Sequence, residues 1–102
     1  MASRIDLQEE LEEILGSRNV YFQPPESVKM KYDAIVYSLS DVNTRYADDS
    51  VYKKDKSYEV TVISRNPDNT IADDLLNHFK YIRFDRRFIS DNLYHDALTL
   101  FY

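Results

Sequence analysis

His95 and Asp96 are the neighbouring residues of this chain that most resemble acid–base machinery. A histidine can exchange a proton near neutral pH, and a carboxylate can orient its ring. Here, however, the two residues are adjacent in a predicted strand, where successive side chains point to opposite faces of the sheet. They therefore cannot form a hydrogen-bonded dyad, and we expect His95 to lie on the sheet surface. His78 is distant in sequence and gives little support to a histidine-based metal site.

The other candidates for chemistry are acidic pairs and serines. The pairs Asp48–Asp49 and Asp73–Asp74 lack the spacing of an EF-hand loop, and the second pair suits the start of a helix. The chain has one glycine and no cysteine. Phosphate-binding loops and nucleophile elbows need glycine where the backbone approaches a ligand, and thiolate sites need cysteine. We therefore predict no enzymatic activity, no cofactor and no metal.

Length and charge narrow the classes of protein further. The 102 residues predict one domain, residues 1–102, without a transmembrane segment. The net charge of −5 disfavours binding to nucleic acid or to an anionic membrane, because both need a basic surface. The densest basic cluster is Arg83, Arg86 and Arg87. The absence of cysteine fits folding in a reducing cytosol.

The first half of the chain predicts a helix followed by strands. Leu7, Leu11 and Leu15 recur at helical spacing and predict an amphipathic helix over Ser3–Leu15, which Gly16 would end in a left-handed conformation. Asn19–Gln23 is a short extended stretch. Pro24 and Pro25 then hold the chain in a non-helical path.

Two alternating apolar stretches, Asp33–Leu39 and Ser57–Ser64, predict strands. The segment between them, Ser40–Lys56, is polar and long for a loop in so small a domain. It is either an extended hairpin tip that projects from the body or a segment that is ordered only by a partner.

The second half predicts a short helix from Ile71 to Phe79 and then a β-hairpin. Its strands are Tyr81–Ser90 and Leu93–Tyr102, and Asp91–Asn92 forms a turn that tolerates positive φ. The predicted fold is α+β in the order α-β-β-β-α-β-β. It has a mainly antiparallel sheet, two helices on one face and a long projecting hairpin arm.

Tyr46 and Tyr52 stand with Arg45 in the polar segment, where no core is expected. Tyrosine and arginine are enriched at protein–protein hot spots. We therefore weigh an interface on this arm equally against a loop that is merely exposed.

Two stretches also resemble a known family. The residues Ile14–Glu26, followed by Met30-Lys31-Tyr32, resemble the N-terminal signature of small tail-terminator or tail-completion proteins of tailed bacteriophages. The ending, Ser90–Asp96 running into Leu98–Tyr102, resembles the close of the same proteins. One position departs from the family pattern, because Asp33 stands where the family tends to have proline.

The resemblance implies a structural virion protein rather than an enzyme. Such proteins form a homo-oligomeric ring, generally a hexamer, on the head-proximal end of the tail tube. The ring stops tube polymerisation and meets the neck or adaptor protein of the filled head, while DNA passes through its lumen without sequence-specific binding. Assembly would occur in the cytoplasm of the host bacterium. The residues that we expect to make contacts are Tyr21, Phe22, Pro24, Pro25, Arg45, Tyr46 and Tyr52.

Three alternatives stay open at this stage. The nearest is another neck component, such as a head-completion or head-tail adaptor ring. A different class is a small monomeric protein-binding inhibitor. The third is a metal-dependent nuclease, which would need clustered carboxylates.

Overall fold

The computed structural model describes residues 4–24, 29–47 and 50–102, with the backbone alone for 41–47 and 50–55. It contains two helices and a five-stranded mixed sheet, which confirms the α+β class predicted from the sequence. In chain order the elements are α1 (Arg4–Leu15), β1 (Val20–Phe22), β2 (Ala34–Ala47), β3 (Ser50–Ser64), α2 (Ile71–His78), β4 (Ile82–Ser90) and β5 (Leu93–Phe101).

The strands lie in the order β1-β2-β3-β5-β4, so β1 and β4 are the edges of the sheet. All neighbouring strands are antiparallel except β1, which runs parallel to β2 with Val20 opposite Ile35. The strand β5 is therefore an inner strand of the sheet.

The core lies on one face of the sheet, where both helices pack. Because side chains alternate along a strand, the register places one set of buried residues on this face. These residues are Ile35, Tyr37, Tyr58, Val60, Val62, Leu98 and Leu100. They form one cluster with Leu7 and Leu11 of α1 and with Leu75 of α2.

Helix α1 ends as the sequence predicts. Gly16 has a φ of 80°, and its amide donates a 2.9 Å hydrogen bond to the carbonyl of Glu12. This left-handed position is strained for residues with a side chain, so glycine suits it. The predicted first residue, Ser3, lies outside the described residues.

The turn between β4 and β5 is also as predicted. Asp91 and Asn92 both have positive φ, of 52° and 62°. A two-residue turn of this kind matches the right-handed twist of the strands that it joins.

The strands β2 and β3 are longer than the predicted Asp33–Leu39 and Ser57–Ser64. Their backbones pair from Ala34 opposite Ile63 out to Ala47 opposite Ser50. The sequence prediction stopped short because the apolar alternation stops there, whereas strand pairing depends on backbone groups. The outer part of this hairpin pairs only with itself, since β5 joins β3 only from Ser57 onward.

We expect Leu11→Ala to destabilise the protein by about 2–5 kcal/mol, because Leu11 is fully buried beneath α1. The matched control is Ile5→Ala on the same helix, where the side chain is 57% exposed and the change should stay within about 0.5 kcal/mol. Urea unfolding followed by circular dichroism measures both. Equal, small losses would contradict the docking of α1 on the sheet.

Candidate interaction surfaces

The edge strand β4 is held by its backbone pairing with β5 and by one ion pair whose carboxylate is buried. Asp96 of β5 is only 1% exposed, and its two carboxylate oxygens accept hydrogen bonds of 2.6 and 3.0 Å from Nε and Nη2 of Arg87. The remaining nitrogen, Nη1, donates a 2.8 Å bond to the carbonyl of Pro67. The bonds to Asp96 raise the pKa of Arg87 above its ordinary value. The guanidinium therefore ties β4 to both β5 and the turn before α2.

His95 lies on the opposite face of the sheet from Asp96, as the sequence predicts. Its ring stacks on Phe88 of β4, with centroids 4.8 Å apart and planes 15° from parallel. Its Nδ1 lies 3.1 Å from the carbonyl oxygen of Leu93. The two neighbours thus have separate partners and form no dyad.

The strand β4 exposes an unusual amount of apolar surface. Phe84 and Phe88 are 42% and 38% exposed, and Ile89 is 66% exposed. Phe84 is paired with buried Leu98 and so lies on the helix side, whereas Phe88 lies on the open side. No strand among the described residues pairs with the outer edge of β4. Open backbone groups and exposed apolar side chains thus occur on one strand.

The charges on β4 differ in how far they are already neutralised. Asp85 accepts a 2.6 Å bond from the hydroxyl of Thr99 and a 2.8 Å bond from Nε of Arg83. These bonds, above all the one from Thr99, lower the pKa of Asp85 below its usual value. Arg86 lies over the ring of Phe88, 5.1 Å from its centroid. A depression of about 420 Å³ beside these residues is lined partly by Glu59 and Thr61 of β3.

Helix α1 carries the opposite charge. It has five acidic residues and one basic residue. Glu9 and Glu13 are exposed, and Ile5 adds an exposed apolar side chain. Glu10 is engaged within the protein, because it accepts a hydrogen bond from the hydroxyl of Tyr102 and lies 2.9 Å from Nε2 of His78.

Three of the predicted contact residues lie on or just after β1. The ring centroids of Phe22 and Tyr37 are 4.9 Å apart. The guanidinium carbon of Arg4 lies 4.5 Å from the centroid of the Phe22 ring. The hydroxyl of Tyr21 accepts a 3.1 Å bond from the amide of Lys31. Phe22 therefore helps to cover the core, and Tyr21 and Pro24 are half-buried.

The other predicted contact residues lie outside the described residues or have only their backbone described. Pro25 lies outside the described residues, as do the side chains of Arg45, Tyr46 and Tyr52. The backbones of Arg45 and Tyr46 are paired with Lys53 and Val51. The contacts expected of all seven residues stay predictions.

The apolar residues of β4 are not among the contact residues predicted from the sequence. The cluster Arg83, Arg86 and Arg87 stands out in the sequence, but Phe84 and Phe88 look like ordinary sheet residues. The available signal was two phenylalanines among three arginines in one strand, a composition typical of interfaces. This composition points to an interface only because β4 is an edge strand, and the sequence alone does not reveal that position.

Among the described residues, no group of three His, Cys, Asp or Glu side chains could hold a metal ion. Within those residues, no helix is long and apolar enough to cross a bilayer. The chain matches no protein-family model, and neither a curated protein nor a solved structure is significantly similar to it.

We expect Arg87→Met to cost about 3 kcal/mol of stability, because it leaves the charge of Asp96 buried without a partner. The control is Arg83→Met, whose ion pair with Asp85 is exposed and should contribute less than about 1 kcal/mol. Adding Asp96→Leu to Arg87→Met should recover most of the loss in urea unfolding. Equal losses in both single variants would contradict the importance of the buried pair.

We also expect the protein to lose stability in alkali. Burial raises the pKa of Tyr37, Tyr58 and Tyr102, and the bond to Glu10 adds to the effect at Tyr102. The unfolded phenols release their protons near pH 10, before the folded ones. This contribution to stability is therefore complete below about pH 10 and is lost as the pH rises further.

Urea unfolding at a series of pH values measures this loss. Tyr58→Phe should make the alkaline decline shallower, because it removes one of the three phenols and keeps the ring. Tyr81→Phe is the control, since Tyr81 is 54% exposed. If the alkaline decline of Tyr58→Phe equalled that of the wild type, the contribution of the Tyr58 phenol would be contradicted.

Proposed function

We propose that this chain is a tail-terminator or tail-completion protein of a tailed bacteriophage. It would form a homo-oligomeric ring on the head-proximal end of the tail tube and end tube polymerisation. The observation that carries the proposal is the open, apolar edge of β4, where Phe84, Phe88 and Ile89 are exposed. Such an edge is a site of association with another chain unless it is covered.

The resemblance described above supports this choice of assembly. One matching stretch, Ile14–Glu26, includes the end of α1, the turn and β1. Within it the side-chain amide of Asn19 donates to the carbonyl of Asp33, and the side-chain oxygen of Gln23 accepts a bond from the amide of Leu39. These residues attach β1 to β2. The other stretch includes the turn before β5 and β5 itself, which holds β4.

The outer part of the β2–β3 hairpin is a second surface in this proposal. Beyond Leu39 on one strand and Ser57 on the other, the two strands pair only with each other. We propose that this part projects as an arm and that Arg45, Tyr46 and Tyr52 contact a neighbouring copy, the tube or the neck. Tyrosine and arginine are suited to such contacts.

The acidic character of the chain fits a ring through which DNA moves. With a net charge of −5, the surface offers few cations to phosphates, so DNA would pass the lumen without tight contacts. In the assembled virion one face of the ring would meet the tail tube, and the other would meet the neck or adaptor protein.

Removal of the gene from a phage that carries it should yield tails of abnormal length, because the tube would no longer be capped. Electron microscopy of negatively stained lysates measures tail length, and a complementing copy of the gene should restore it. Tails of normal length that stay separate from filled heads would contradict the terminator and favour another neck component.

A further inference from the structure

The exposed large hydrophobic side chains of the described residues divide into two groups. Four of them, Tyr81, Phe84, Phe88 and Ile89, lie on β4 or directly before it. The other two, Ile5 and Leu39, lie on α1 and β2. The sheet order puts β4 at one edge and β2, beneath α1, next to the other edge. Exposed apolar side chains therefore occur toward both edges of the sheet, four around β4 and two on α1 and β2.

The charges divide in the same way. Residues 80–90 contain four basic residues and one acidic residue, whereas α1 contains five acidic residues and one basic residue. Arg86 is exposed on the first surface, and Glu9 and Glu13 are exposed on the second. Opposite charges around apolar centres are the arrangement of complementary interfaces.

We propose that the β4 edge of one copy docks against the acidic face of α1 on the next copy, so that copies join head to tail. The inference rests on the proposed function in taking the partner to be a second copy of this chain. A contact between two β4 edges is disfavoured, because it would bring basic residues against basic residues. A contact between two different surfaces closes into a ring when the rotation allows it.

The arrangement of charges on β4 also fits this docking. Arg83 and Arg87 each have an acidic partner in their own chain, Asp85 and Asp96. Arg86 has its guanidinium over an exposed aromatic ring and also acts through its charge on Asp85. The acidic helix of the neighbour would supply the carboxylates near Arg86, and Ile5 would lie among the exposed side chains of β4.

The first test reverses the charge of the basic surface. We expect Arg83→Glu/Arg86→Glu to weaken self-association of the purified chain at least about tenfold, since like charges would then face each other. Sedimentation velocity and native mass spectrometry measure the assembly. The matched control is Lys31→Glu/Arg65→Glu, which makes the same change of charge at exposed sites outside α1, β4 and the β2–β3 arm. Circular dichroism verifies that each variant is folded.

The second test restores the contact. Glu9→Lys/Glu13→Lys alone should be as defective as the arginine variant, and an equimolar mixture of the two variants should assemble again. In an alternating ring every reversed edge would then meet a reversed helix. A wild-type chain that is monomeric at every concentration would overturn the proposal. So would arginine variants that assemble normally, or a mixture that fails to recover.

The outcomes separate this inference from the proposed function. If the arginine variant still forms rings and supports tails of normal length, the docking surface is wrong and the terminator stands. If the charge reversals behave as expected but loss of the gene leaves tails joined and of normal length, the head-to-tail contact stands and the terminator is wrong.

Discussion

Asp96 is a carboxylate within an apolar core, and its charge is tolerated there because Arg87 reaches it with two hydrogen bonds. The third bond of the same guanidinium holds the turn at Pro67. The strand β4 has nearly all of its side chains exposed, so few apolar contacts fix it to the body. Beyond the backbone pairing with β5, the position of the proposed docking edge therefore depends on this ion pair more than on apolar packing.

The position of both helices on one face of the sheet also determines which side chains lie on its surface. Because α1 and α2 cover a single face, the other face of β3, β4 and β5 is left to side chains such as Phe88 and His95, which stack on each other. Stacking reduces the apolar area that each ring exposes, but it leaves the strand edge open. Charge is distributed unevenly over the same molecule, with carboxylates on α1 and guanidinium groups on β4. The two proposed surfaces follow from this asymmetry.

Local features were the most predictable part of this protein. The extent of α1, the cap at Gly16 and the turn at Asp91–Asn92 each depend on residues that are close in sequence. The parallel pairing of β1 and the edge position of β4 depend on contacts between distant segments, and one sequence does not reveal them. For the same reason the sequence did not reveal that the ring of Phe22 packs against Tyr37, or that Phe84 and Phe88 are exposed on an edge strand.

The glycine-free turn at Asp91–Asn92 has a consequence for the order of folding. It makes β4–β5 a local hairpin, and β2–β3 is a second one, whereas the pairing of β3 with β5 spans α2. Local pairings lose less chain entropy on closing, so the two hairpins should form before they join. The adhesive edge of β4 would then exist before the core beneath it is complete.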